Sequence, residues 1–473
     1  MADESRFSEH EDITELLNTY ERIKNGKGVG FLSEESFERI IDHFDDQDAI
    51  TKAMEAAELG IAQFPFSSSL MVKKADLLIA SRHYKKALLM LDKAEILDKN
   101  DIDIYILRTD AYLALDLQEK AVELLEEAVN RFEGEERIEL LFELADVYDD
   151  YEAFEKIFDC LKWILEYDPT NEEALYKICF WTDFTGRNEE SIRLHLKIIE
   201  EYPYSDLAWF NLAAAYQGLK LFEKAIDAYQ YAIAINEKFD YAYRNMADAL
   251  MRLHRYKEAI DQLEKVIELS RPEDLIYQAI GYCYEKIRNH AQARFYYRKA
   301  SHLNPDNARL YVKVAGTYMK ELKYAQAIKY LEMALRIKRL DPEFNLTMGE
   351  CHVKLGHHKE AVHHFLAVVQ SKPRSIKGWE ALIRTLFLSQ QHAEAERQVE
   401  LARSRLGNRP ILEFYRAAIL LALGKNKEGF EALEATLERY PKQLKSFLNL
   451  YPSSVKHPQV VELILRFKRR RRI

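Results

Sequence analysis

The chain has 473 residues, of which 31% are charged and 12% aromatic, with only 15 glycines and 11 prolines, a mixture that excludes collagen-like and wholly disordered chains and suits an ordered helical protein. No stretch approaches the roughly 18 apolar residues that span a bilayer, and the opening MADESRFSEHED lacks the basic and apolar zones of a secretory signal, which points to the cytoplasm. The net charge of −10 conceals an asymmetry: residues 1–205 hold 23 Lys+Arg against 48 Asp+Glu, whereas residues 206–473 hold 45 against 30. Such a split bears on association rather than on fold, and the two halves meet different partners or each other.

Residues 1–33 form a lead-in. Ser8 and Glu11 have the spacing of a capping box, and Ile13, Leu16, Leu17, Tyr20 and Ile23 recur at helical spacing, so a short amphipathic helix is expected. Asn25-Gly26-Lys27-Gly28-Val29-Gly30 ends it as a flexible hinge. No strand precedes these glycines and the Gly-x4-Gly-Lys-Ser/Thr spacing is absent, so they do not read as a phosphate loop.

From Glu34 to Gln443 one register of 34 residues tiles the chain as 34–67, 68–101, 102–135, 138–171, 172–205, 206–239, 240–273, 274–307, 308–341, 342–375, 376–409 and 410–443. That is twelve units with one two-residue insertion. Positions four, seven, eight and eleven make one stripe of a first helix, and positions twenty, twenty-four and twenty-seven line a second. In the sixth unit these read Trp209-x2-Leu212-Ala213-x2-Tyr216, Ala225, Tyr229 and Ala232, and in the seventh Tyr243-x2-Met246-Ala247-x2-Leu250, Ala259, Leu263 and Val266. Small residues at eight and twenty let paired helices approach closely; large ones elsewhere fill the space. Ile41 and Ala57 of the first unit depart from those sizes. Prolines respect the pattern: Pro65, Pro169, Pro203, Pro305, Pro373 and Pro441 share position thirty-two, Pro272 takes thirty-three, and Pro342 and Pro410 take one, where a helix start welcomes them. Gly186, Gly356 and Gly424 share position fifteen, the place for a left-handed cap.

The period and these residues resemble the tetratricopeptide repeat. The resemblance implies an all-α, right-handed superhelical solenoid of about twelve helix–turn–helix repeats, whose first helices line a concave groove. After Lys442 the period stops. Residues 444–473 are expected to form capping helices, Leu444 to Leu450 and Pro458 to about Arg470, the second carrying Val460, Val461, Ile464 and Phe467. The run Arg466-Phe467-Lys468-Arg469-Arg470-Arg471-Arg472 is basic enough to meet an anionic partner, or simply to suit a helix carboxyl terminus.

Nothing in the pattern indicates catalysis. Cys160, Cys179, Cys283 and Cys351 are widely spaced and read as small apolar fillers. His352, His357, His358, His363 and His364 crowd the tenth unit without a metal-ligand spacing, and no nucleophile elbow or dinucleotide fingerprint occurs, so neither catalytic residues, a metal nor a cofactor is expected.

The resemblance also implies that positions two, five, six, nine, twelve and thirteen face the groove. Glu35, Glu38, Asp42, Asp45 and Asp46 of the first unit, opposed only by Arg39, and Glu139, Glu143, Asp146, Asp149 and Asp150 of the fourth make an acidic end. Farther on come Phe210, Asn211 and Gln217, then Tyr241, Arg244, Asn245 and Arg252, then Gln278 and Lys286, and then Arg309, Lys313 and Lys320, the expected peptide-binding region. Asn211 and Asn245 at position six are similar to the asparagine ladder that grips peptide backbones in O-linked N-acetylglucosamine transferases. Phe210 and Ala214 depart from the carboxylate clamp of the chaperone-binding members. The expectation is a non-catalytic adaptor holding protein segments. Two alternatives are a structural subunit that self-associates through its acidic and basic halves, and a regulator that binds nucleic acid or anionic membrane through the basic half.

Overall fold

A computed structural model describes residues 2–26, 31–271, 273–440 and 444–470, excepting the side chains of 2–12 and 468–470. Among the described residues every regular element is helical: 27 α-helices and one short 3-10 turn at Pro452–Lys456. Lys27 to Gly30 of the expected hinge, the repeat prolines Pro272 and Pro441, and the last arginines of the tail lie outside the described residues. The chain divides into two compact units, Met1–Glu237 and Lys238–Ile473.

Each unit contains six antiparallel helical hairpins, and the hairpins keep the 34-residue register closely. First helices begin at position one, as in Ser68–Ala80, Asp206–Gly218 and Ile376–Leu388. The fourth is the exception: Gly134–Asp150 starts a turn early and takes the inserted Glu136 and Arg137 into the helix. Second helices begin at position seventeen in all twelve, from Ile50–Gln63 to Asn426–Arg439. Position fifteen, between them, has positive φ in every repeat. Glycine fills it at Gly186, Gly356 and Gly424, but Asp48, Arg82, Asp116, Glu152, Lys220, His254, Arg288, Leu322 and Gln390 take the same left-handed conformation with φ of 55–62°. The backbone amide of the next residue then reaches a carbonyl of the first helix, as in Arg255 N–H to Leu250 C=O (2.9 Å), so the cap geometry is retained even where its usual residue is missing.

Inside each hairpin, positions eight and twenty-four trade volume. A Cβ added at Gly281 would lie 2.6 Å from the Tyr297 ring, and one added at Gly349 would lie 2.4 Å from the Phe365 ring, so each glycine makes room for a buried aromatic at twenty-four. The first repeat reverses the sizes, with Ile41 at eight and Ala57 at twenty-four, and both are buried in one cluster with Phe37, Ile40 and Phe44. Between hairpins, the position-four indoles of Trp209 and Trp379 donate to the carbonyls of Pro203 and Pro373, each at 2.9 Å, tying a first helix to the turn before it.

Both ends are covered by helices. The lead-in helix is Ala2–Lys24, so it runs through Ser8 and Glu11, and their expected role as its amino-terminal cap is corrected: they lie inside the helix, whose start is six residues earlier. Its Tyr20 is buried edge-to-face on Phe44, and Lys24 pairs with Glu55. At the other end Phe447 and Leu450 of Leu444–Leu450 and Val460 and Ile464 of Pro458–Arg470 close the core around Leu412 and Phe414. Arg466 pairs with Glu434 at 3.4 Å. No helix of the described residues is long and apolar enough to cross a membrane.

Candidate protein-interaction surfaces

In unit 1 the face lined by first helices is built from an acidic row. Position nine holds aspartate in four successive repeats: Asp42, Asp76, Asp110 and Asp146. The helices bring these groups near enough to act on one another. Asp76 has its carboxyl raised above the ordinary range by desolvation and then by Asp45, with Asp103 and Asp42 adding to the effect and Lys73 opposing it. Desolvation and then Asp76 raise Asp110. Desolvation raises Glu143, followed by Asp110, Asp146 and Glu139, while Lys177 opposes. Lys73 bonds Asp42 at 2.5 Å and Lys177 bonds Glu173 at 2.8 Å, which leaves the row in negative surplus. Glu38 is partly covered, and Asp46 and Asp150 are exposed at the ends of their helices.

At the fifth repeat the same helix positions turn aromatic. Tyr176, Phe180 and Phe184 stand at five, nine and thirteen of Glu172–Thr185 and are 70%, 61% and 56% exposed. Phe180 stacks on Phe184 (5.9 Å between ring centres), Phe184 meets Phe154 edge-on at 4.8 Å, and Trp181 stacks on Phe154 at 5.6 Å. Asp76, Asp110 and these aromatics are absent from the sequence expectation, although counting to position nine in every repeat finds Asp76, Asp110 and Phe180, and counting to five and thirteen finds Tyr176 and Phe184.

Asn211 requires a correction. It is only 2% exposed, and its amide donates to the Leu175 carbonyl of the preceding first helix at 2.7 Å, so it ties two helices together and does not present a rung to a ligand. Position six of Asp206–Gly218 packs on its neighbour here, and burial consumes the donor that a peptide would need. Gln217 is likewise engaged, accepting from the Tyr229 hydroxyl at 3.3 Å, while Phe210 is partly buried 5.7 Å from the Tyr229 ring.

In unit 2, Tyr241 is 52% exposed with the Arg244 guanidinium 5.7 Å from its ring centre, and Arg244 also pairs with Glu273 at 3.1 Å. Asn245 beside it is partly buried, and Arg252 is exposed and pairs with Asp248 at 3.5 Å. Lys313 reaches back one repeat to Gln278 (2.6 Å) and lies 5.4 Å from the Tyr297 ring centre; desolvation lowers its pKa, with Glu285 opposing. Arg309 is exposed. Thus Tyr241 and Arg244 form one local group, Gln278 and Lys313 another.

The cysteines and the clustered histidines are shaped mainly by burial. Burial pushes the thiols of Cys160 and Cys283 up to about 12 and those of Cys179 and Cys351 up to about 11, which keeps them protonated. His364 stacks on His352 at 5.6 Å and its Nδ1 lies 2.9 Å from Asn345 Oδ1; burial, then His352 and His363, push it down to about 4. No group of His, Cys, Asp or Glu among the described residues is arranged to hold a metal ion.

Comparison with known proteins agrees with this architecture. Residues 207–239 match one model of the tetratricopeptide repeat, and residues 241–272 and 275–307 match a second. No curated protein matches the chain significantly. Similar solved structures include YrrB, described as a TPR protein with an unusual peptide-binding site, at 17% identity over 40% of this chain and 96% of that one, with a TM-score of 0.35. The C-terminal part of a TPR repeat-containing protein from Cytophaga hutchinsonii is 16% identical over 54% of this chain and 99% of that one, with a TM-score of 0.44. The Cut9–Hcn1 hetero-tetramer of the APC/C contributes a chain 12% identical over 82% of this one and 97% of its own length, at a TM-score of 0.33. With hairpins recurring in a fixed 34-residue register and three of them matched by the family's own models, this chain is a tetratricopeptide repeat protein.

Proposed function

We propose that the chain is a non-catalytic adaptor whose first-helix faces hold segments of other proteins, and that the face of unit 1 takes a basic segment carrying an aromatic or apolar residue. The observation that carries this reading is the position-nine row: four successive aspartates, of which Asp76 and Asp110 have their carboxyls raised by desolvation and then by neighbouring acids, followed without a change of face by exposed Phe180 and its neighbours. Carboxylates crowded together are relieved by an incoming cation. Aromatic rings left in water gain from burial, and Lys or Arg on their faces adds to that gain. In unit 2 the Tyr241 and Arg244 group and exposed Arg309 offer the complementary chemistry for an acidic stretch.

The test is fluorescence anisotropy of a labelled lysine-rich peptide containing one tryptophan, titrated with the full chain at low and physiological salt. Replacing Asp76 and Asp110 by Asn and Glu143 by Gln removes three exposed or partly exposed charges worth roughly 0.2–1 kcal/mol each, so affinity should fall about tenfold and lose much of its salt dependence. Phe180→Ala with Phe184→Ala should weaken binding by a similar factor with the salt slope retained. Unchanged affinity in both variants, or no binding by the parent, refutes the assignment.

A further inference from the structure

Unit 2 holds a cleft that none of the surfaces above uses. It measures about 680 Å³ and is walled by the first helices Ala308–Lys320, Pro342–Lys354 and Ile376–Leu388 of repeats nine to eleven. Its floor is apolar, with Leu346, Val353 and Leu388 at positions five, twelve and thirteen; Leu388 is 48% exposed. Around that floor stand Lys320, Lys354, Lys377 and Arg384. None of the four is in an ion pair with a described residue, whereas Arg244, Arg294 and Arg403 of the same unit are paired with Glu273, Glu321 and Glu413 at 2.8–3.4 Å. Two carboxylates share the cleft. Glu380 accepts from the Tyr415 hydroxyl at 3.1 Å, and Glu350 lies within reach of the charges of Lys354 and Lys377 without a salt bridge to either. Four cations against two carboxylates leave a positive surplus beside an open apolar floor.

We infer that this cleft docks an acidic segment of a partner protein, with one apolar side chain of the segment on the Leu346, Val353 and Leu388 floor and carboxylates on either side meeting Lys354, Lys377 and Arg384. Charge complementarity selects this occupant: a basic segment would add to the surplus, and a neutral apolar one would leave the cations unanswered at the edge of a desolvated contact. The positions concerned are two, five, nine, twelve and thirteen of their repeats, so the segment crosses three successive first helices. This rests on reading the chain as an interaction scaffold, and it gives unit 2 a ligand of opposite charge to that of unit 1.

The probe is a fluorescein-labelled peptide of glutamates flanking a single leucine, titrated by anisotropy into the full chain. Two controls are the same peptide with serine for the leucine and a lysine-for-glutamate counterpart. The glutamate–leucine peptide should bind, the serine version at least tenfold more weakly, and the lysine version should not bind this cleft. Lys354→Glu with Lys377→Glu should weaken the first peptide at least tenfold, and Leu388→Ser, at an exposed site that leaves the fold intact by circular dichroism, should do the same. Asp76→Asn with Asp110→Asn should change nothing. Equal binding by the cleft variants, or no preference for leucine over serine, overturns the inference. If the glutamate–leucine peptide fails while the lysine–tryptophan peptide still binds unit 1, this inference alone falls; if neither peptide binds, the scaffold reading falls with it.

Discussion

His195 makes the fold of unit 1 acid-sensitive by an amount that can be worked out. The imidazole is fully buried in the helix Asn188–Glu201, with Nδ1 donating to the Ser191 carbonyl at 2.7 Å and Nε2 buried without a hydrogen-bond partner. A proton on Nε2 would place a cation where nothing accepts it, and desolvation accordingly pushes the pKa from 6.5 down to about 4. The folded chain then binds fewer protons than the unfolded chain between those two values. Stability is therefore lost as pH falls from about 6.5 toward 4, and from pH 7 to pH 5 this one group removes about 2 kcal/mol. His195→Leu tests the figure. Leucine occupies the same position in six other repeats, at Leu91, Leu125, Leu161, Leu263, Leu331 and Leu433, so it should be accommodated without disturbing the hairpin. Urea unfolding of parent and variant at the two pH values gives the answer by difference, because the carboxylates raised in the fold are common to both proteins and cancel. A variant that loses as much stability as the parent between pH 7 and pH 5 refutes the argument.

Other outcomes follow from the same structure. Leu322 holds φ of 57° at position fifteen and is 72% exposed, so Leu322→Gly should raise stability by about 1 kcal/mol in chemical denaturation, since a left-handed residue with a Cβ costs about 1–2 kcal/mol and glycine returns part of this as chain entropy. Gly349→Ala would drive a methyl into the Phe365 ring and should cost about 1–3 kcal/mol, read as a lowered midpoint, and adding Phe365→Leu should recover part of it. Asp76→Asn with Asp110→Asn should stabilise the chain at pH 7. Both carboxyls titrate higher in the fold than in the open chain, so the stability tied to them is present at low pH and lost as pH rises through their folded pKa, and the gain should vanish near pH 3.

The periodic features were legible in the sequence because close packing leaves its mark at fixed offsets. Alanine or glycine at position twenty, proline at helix starts and the large and small pairs at eight and twenty-four all express one steric requirement. Ile41 and Ala57 break the size rule at both places at once, and the break is compensatory. The left-handed turn at position fifteen was visible only where glycine occupies it; elsewhere the hairpin imposes the conformation on aspartate, arginine or leucine, and composition carries no sign of it. Asn211 shows a different limit. A polar residue at a position that normally faces outward reads as a binding group, yet whether its amide meets solvent or the Leu175 carbonyl depends on how closely two first helices approach. Repeat position alone also brings out Asp76 and Asp110, but the desolvation that raises their carboxyls, and the convergence of Lys354, Lys377 and Arg384 on an apolar floor, arise from the packing of successive hairpins.

Partner binding as proposed requires the first-helix face of unit 1 to be the surface that receives the segment. Photo-crosslinking reads this directly: the lysine–tryptophan peptide with a benzophenone beside its tryptophan is bound to the full chain, irradiated and mapped by mass spectrometry. The adducts should fall on the first helices, at or next to Tyr176, Phe180 and Phe184. Adducts concentrated instead on exposed second-helix residues such as Leu89, Ile96 or Trp163 would contradict it.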